Sequence, residues 1–207
     1  LGLPFLIGVT GSIGSGKSTV VRLLGELGAG VVSLDDVGHE ILKDEEVKDA
    51  LLKAFGKGIL SPDGEVDRRK LAQKSFSTPE SVRLLNDITH PKIERRLKSI
   101  VEEEGKKGTE FLVIESPLLI EVGSEDFYDF VILVVADLDK RVCRVKDRGW
   151  DKEELHRRER FFVDEEIKRR HANLVIHNNG SLEELRKKVK EAWSFIISLR
   201  DMYQTTS

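Results

Sequence analysis

Residues 9–19 read VTGSIGSGKST. Gly11, Gly16, Lys17 and Ser18 satisfy the pattern G-x-x-x-x-G-K-[ST], with a further glycine at Gly14. The spacing has a chemical reason. Glycines let consecutive backbone N–H groups turn inward around a phosphate chain, and a following helix aims its positive end at the same charge. The Lys17 ammonium would reach the β- and γ-phosphates, and the Ser18 hydroxyl would ligate Mg²⁺. Ser15 and Thr19 complete the stretch expected to surround ATP. Four fixed positions of this kind coincide by chance in about one in a hundred chains of this length.

A phosphoryl group passed to a hydroxyl needs an in-line acceptor and a carboxylate to orient it and take its proton. In open parallel sheets, ligands gather just past the carboxyl ends of strands. Asp35, beside Asp36, follows the apolar run GVVSL, and Glu115 ends the run FLVIE. Asp35 is therefore the candidate base, and Glu115 a candidate holder of the Mg²⁺ water shell. Charge spreading over the moving group also calls for cations. Arg141, Arg144 and Arg148 lie on the helix expected after the run FVILVVA, and Arg144 and Arg148, four apart, share a face. An adenine pocket is expected near Asn178–Gly180.

These residues need elements to hold them. Five apolar runs, 5–10, 30–34, 111–115, 130–135 and 173–177, read as strands covered on both faces, the pattern of a parallel sheet. Helical patterns lie between them. Val20, Leu24 and Leu27 share a face before Gly28. Ser181 and Glu184 form a capping-box pattern ahead of Leu182, Leu185, Val189, Ala192, Trp193 and Ile196. The expected fold is α/β: a P-loop NTPase-type parallel sheet of about five strands flanked by helices, with a helical insertion and a lid. The spacing divides the chain into a nucleotide-binding core (1–37, 108–146 and 171–207), an insertion (38–107) and an irregular, arginine-rich lid (147–170). Inside the insertion, SPDG is a turn, Asp67 opens a helix, Thr78-Pro79-Glu80 opens another, and THPKI restarts a helix to about Glu104.

Composition narrows the partners. The 207 residues are 34% charged, yet the net charge is −3, which argues against nucleic acid and anionic membranes as partners. Cys143 is the only cysteine, so no intrachain disulfide forms and a reducing cytoplasm is the expected compartment. The opening LGLPFLIGV has no basic lead or cleavage site and reads as the approach to the first strand. No apolar run approaches ~18 residues. A GTP switch fits poorly, because DDVG comes too soon after the loop and no N-K-x-D follows. A motor ATPase would need a larger chain. A small-molecule kinase fits best. A nucleoside or nucleotide kinase and a non-catalytic ATP-binding module stay open.

Along nearly its whole length the chain resembles the dephospho-CoA kinases. The resemblance runs in order through IGVTGSIGSGKSTV, LGAGVVSLDDVGHE, AFGKGILSPDGEVDRRKLAQKSF, LNDITHPKI, VIESPLLIEVG and ANLVIHNNGSLEEL. THPKI, SPLLIE and DGEVDRRKL at these spacings are its specific part. The resemblance implies transfer of the ATP γ-phosphoryl group to the ribose 3′-hydroxyl of dephospho-CoA, while the oligomeric state stays open. It implies that Asp35, Lys17 and Arg144 are catalytic, and that His90, Pro117, Leu118, Leu119 and Glu121 line the acceptor side. The chain departs from the family's usual pattern at Ser33, where an acid is common, and at Arg141 and Phe162, where Gln is frequent.

Overall fold

A computed structural model describes residues 2–160 and 162–206. The chain divides into two compact units, one running up to Ser33 and resuming at Glu104, the other spanning Leu34–Glu103. The second begins and ends four residues before the insertion read from the sequence.

The first unit is built on five parallel strands: β1 (Phe5–Gly11), β2 (Gly30–Ser33), β3 (Phe111–Glu115), β4 (Phe130–Val135) and β5 (Leu174–His177). Their order is β2-β3-β1-β4-β5. The central strands β1, β3 and β4 are nearly continuous in apolar residues because both of their faces are covered. On one face α1 (Lys17–Glu26) and α9 (Leu182–Thr206) pack against Ile7, Val9, Val113 and Ile132. Trp193 of α9 meets Phe111 edge-on at 4.8 Å. The capping box forms as expected: Ser181 N–H donates to Glu184 Oε2 (2.6 Å) and Glu184 N–H to Ser181 Oγ (3.2 Å). Two residues of the expected apolar faces are exposed. Leu27 follows the last turn of α1, and Leu182 precedes the turn where α9 meets the sheet.

Gly8 lies mid-strand in β1, paired to Ile114 and Val131. A Cβ there would sit 2.5 Å from Leu119 Cδ1 and 3.0 Å from the Tyr128 ring. The missing methyl group is what lets the segment after β3 fold down onto the sheet.

Past β4 come α6 (Leu138–Val145), α7 (Lys152–Glu159) and α8 (Glu165–His171). The stretch read as an irregular lid is therefore largely helical. Asp151 caps α7 by accepting the Glu154 N–H at 2.8 Å, which a count of charges does not reveal.

The second unit holds α2 (Leu34–Ile41), α3 (Glu45–Phe55), α4 (Arg68–Ser75) and most of α5 (Pro79–Lys107). Asp67 caps α4, accepting from Arg69 N–H (2.9 Å) and Lys70 N–H (3.2 Å), and Gly64 N–H closes the SPDG turn on Ser61 O (3.0 Å). The expected restart at THPKI does not occur. α5 is one helix of 29 residues with Pro91 inside it. Pro91 removes one ladder bond, a cost of ~3 kcal/mol. Burial of Leu97 and Val101 on the following turns offsets it, and Thr89 Oγ1 donates to Leu85 O (2.9 Å) on the turn before.

Candidate active site

The phosphate loop leaves β1 at Gly11 and enters α1 at Lys17. Gly16 precedes the helix at φ 97°, a left-handed conformation that only glycine adopts without strain. It also faces the Asn178 amide so closely that a Cβ would collide with Nδ2. Lys17 Nζ bends back over the loop and donates to Gly11 O (3.0 Å) and Ser12 O (3.1 Å). Its ammonium is thereby held at the side where an anion would enter. Thr19 is partly exposed in the first turn of α1.

Ser18 Oγ donates to Glu115 Oε1 at 2.8 Å, so the hydroxyl after the loop lysine and the acid closing β3 meet, as their places in the chain suggest. Two neighbouring oxygen donors suit a hard divalent cation that draws its other ligands from phosphate and water. Among the described residues no three His, Cys, Asp or Glu side chains gather into a metal cage.

Arg144 and Asn178 secure the loop from outside. Arg144 Nη1 donates to Gly14 O and Ser15 O (both 3.2 Å), and its Nη2 donates to Asn178 O (2.7 Å). Asn178 Nδ2 donates to Ser15 O (2.8 Å). When a loop turns its N–H groups inward, its carbonyls face out, so these contacts staple the loop's back. Asn178 thus spends its side-chain amide on the loop, and the described contacts of Arg144 are to two loop carbonyls and to Asn178 O. Arg148 does not share a face with Arg144. α6 ends at Val145 and tightens into a 3₁₀ turn, leaving the Arg148 guanidinium 5.4 Å from the Trp150 ring.

The segment after β3 is divided between surface and core. Pro117 O accepts from Thr10 Oγ1 (3.2 Å), and Pro117 and Leu118 stay partly exposed. Leu119 is fully buried against Gly8, as a core residue. The Glu121 side chain is buried as well, its Oε1 2.6 Å from Lys168 Nζ of α8. Neither carboxylate oxygen of Glu121 nor Lys168 Nζ has a hydrogen bond of good geometry, although the charges are paired. Asp35 and His90 belong to the second unit. Asp35 is exposed in the first turn of α2, two residues past the end of β2, where the helix's positive end favours a carboxylate. His90 lies in α5 next to Pro91, and burial lowers its pKa against a weaker opposing pull from Asp87.

A second long-range ion pair, like Lys168–Glu121, escaped sequence reasoning. Arg141 grips Glu159 of α7 with two nitrogens, at 2.8 and 3.0 Å to the two oxygens from Nη1 and 3.0 Å from Nη2. Glu159 Oε1 also accepts the loop's Ile13 N–H at 2.7 Å. No spacing rule links residues 141 and 159 in a stretch crowded with both charges.

The family model for dephospho-CoA kinase matches residues 5–184. The dephospho-CoA kinase of Corynebacterium jeikeium is 40% identical over 188 residues, covering 90% of this chain and 97% of the relative. Among solved structures, TT1252 from Thermus thermophilus aligns with a TM-score of 0.80 at 37% identity, covering 93% of this chain and 98% of its own. The dephospho-CoA kinase from Campylobacter jejuni aligns with a TM-score of 0.67 at 26% identity, covering 92% and 96%. With the loop, the parallel sheet and the match across nearly its whole length, the chain belongs to the dephospho-CoA kinase family.

Proposed function

We propose that this chain transfers the γ-phosphoryl group of ATP to the ribose 3′-hydroxyl of dephospho-CoA, giving CoA and ADP. The observation that carries the reading is the family match over residues 5–184, which includes the complete phosphate loop. The 3′-oxygen bonds to the γ-phosphorus, and the bond from that phosphorus to the β–γ bridging oxygen breaks. The hydroxyl proton passes to the Asp35 carboxylate. Lys17 and the loop N–H groups hold the β- and γ-phosphates, with Gly11, Gly14, Ser15, Gly16 and Thr19 forming the wall. Ser18 and Glu115 would hold Mg²⁺, which when bound neutralises charge on those phosphates. Arg144 acts at the donor end through the loop it staples. His90, Pro117 and Leu118 line the acceptor side, and Leu119 and Glu121 support them.

The second unit is assigned to the acceptor and the arginine-rich stretch 147–170 to a lid that excludes water during transfer. Among the described residues no helix is long and apolar enough to cross a membrane. A cytoplasmic enzyme with two small-molecule substrates fits this reading. Turnover of ATP with dephospho-CoA, with nucleosides or nucleoside monophosphates, and with no acceptor tests it. Turnover that depends on dephospho-CoA is expected. Turnover only with a nucleotide acceptor, or ATP binding without acceptor-dependent turnover, would overturn it.

A further inference from the structure

The Arg141–Glu159 pair sits against the phosphate loop. Its side chains are 11% and 14% exposed. Arg141 backs directly onto Gly14, where a Cβ would come within 2.9 Å of Arg141 O and 3.1 Å of its Cα. A cavity of about 480 Å³ opens beside the pair, lined by Ser12, Asp137, Arg141, Glu159, His177 and Asn179 among others. In a loop that gathers N–H donors for phosphate, one donor, Ile13 N–H, is taken by a carboxylate of the same chain. That carboxylate also holds the Arg141 guanidinium by three contacts.

An anion on a phosphate loop's amide and a cation held by that anion form an arrangement that a triphosphate must disturb. Entering phosphates bring several negative charges close to Glu159 and compete for Arg141. Guanidinium binds carboxylate and phosphate oxygens with the same two-pronged geometry, so the exchange needs no new kind of contact.

We infer that Glu159 is a positioning residue for the donor nucleotide: it holds Arg141 at the loop and yields it to a phosphate oxygen when ATP enters. The inference rests on the reading of the loop as an ATP site. Glu159 acts through Arg141 and touches no reacting atom. Its negative charge opposes ATP, and its geometry keeps the cation in place until ATP arrives.

The test is calorimetric binding of ATP with Mg²⁺ to the full chain, without acceptor. Glu159→Gln keeps an oxygen for Ile13 N–H and removes the charge. It should bind ATP about 3- to 10-fold more tightly than the parent chain, the scale of one screened charge contact. Glu191→Gln, at an exposed acid of α9, should bind as the parent does and so corrects for a general loss of negative charge. A merely structural brace would leave affinity unchanged or weaken it, and either result overturns the inference. Should Glu159→Gln fail to fold, Arg141→Gln reads the same exchange from the other side. It should weaken ATP binding several-fold, and unchanged affinity overturns the inference. If the parent chain binds no ATP, the reading of the loop itself fails, a result distinct from both.

Discussion

Asp35 and Arg144 are both expected in the chemistry, but the structure gives them different support. Asp35 stands exposed at the start of α2, two residues past the end of β2. Asp35→Asn keeps the shape and removes the base. It should lower kcat by ~10²-fold or more while the ATP dissociation constant stays within about twofold. Steady-state kinetics paired with ATP binding measures both, and an unchanged kcat would remove Asp35 from the mechanism. Arg144 has three contacts to backbone carbonyls, two of them in the phosphate loop. The sequence alone suggests a group felt mainly in kcat. The contacts predict that Arg144→Ala raises the KM for ATP about tenfold, because the loop loses its outer staple, along with any fall in kcat. Normal KM with reduced kcat would return Arg144 to the transition state.

At the scale of elements, the segment after β3 and helix α8 are joined by Lys168 and Glu121, almost fully removed from water. Breaking a buried pair strands a charge and costs about 3–5 kcal/mol, whereas replacing both members with apolar groups of similar size is often neutral. Lys168→Met should therefore lower the urea midpoint sharply, and the double variant Lys168→Met with Glu121→Met should recover most of the loss. A double variant no better than the single one would show that the pair contributes little. This joint was invisible in the sequence, as was the Arg141–Glu159 pair, because each links residues far apart in the chain with no periodicity between them. The strands, the capping box and the Asp67 cap were legible, since each is set by neighbours within a few residues. Local rules also explain the misreadings. Pro91 looks like a helix boundary when its own dipeptide is considered, but α5 continues because burial further along outweighs one lost bond. Arg148 looks like a partner of Arg144 only while α6 is assumed to continue past Val145.

For the whole molecule, acid sensitivity follows from histidines the fold prefers neutral. Burial lowers the pKa of His90, and burial with the nearby Arg68 charge lowers that of His39. An unfolded chain binds protons at these sites near the ordinary value of 6.5, and the folded chain only at lower pH. Stability from this source is complete above about pH 6.5 and falls as pH drops through the folded values. Urea melts from pH 8 to 5 should show that decline, and His90→Asn should flatten it. An identical slope in the variant would exclude His90 as a cause.

The close approach of β1 to Leu119 carries a consequence for inheritance. Gly8 and Leu119 are distant in the gene yet compete for one methyl-sized space. Gly8→Ala should lower stability by about 1–3 kcal/mol, as overpacking does, and Leu119→Val should restore part of the loss. A chain drifting through sequence space can then change position 8 only after position 119 has shrunk, and the two codons are expected to vary together. A pairwise library over both positions, scored for folded protein, checks this. Tolerance of alanine at position 8 beside leucine at 119 would show that the sheet and the turn above it are free to diverge.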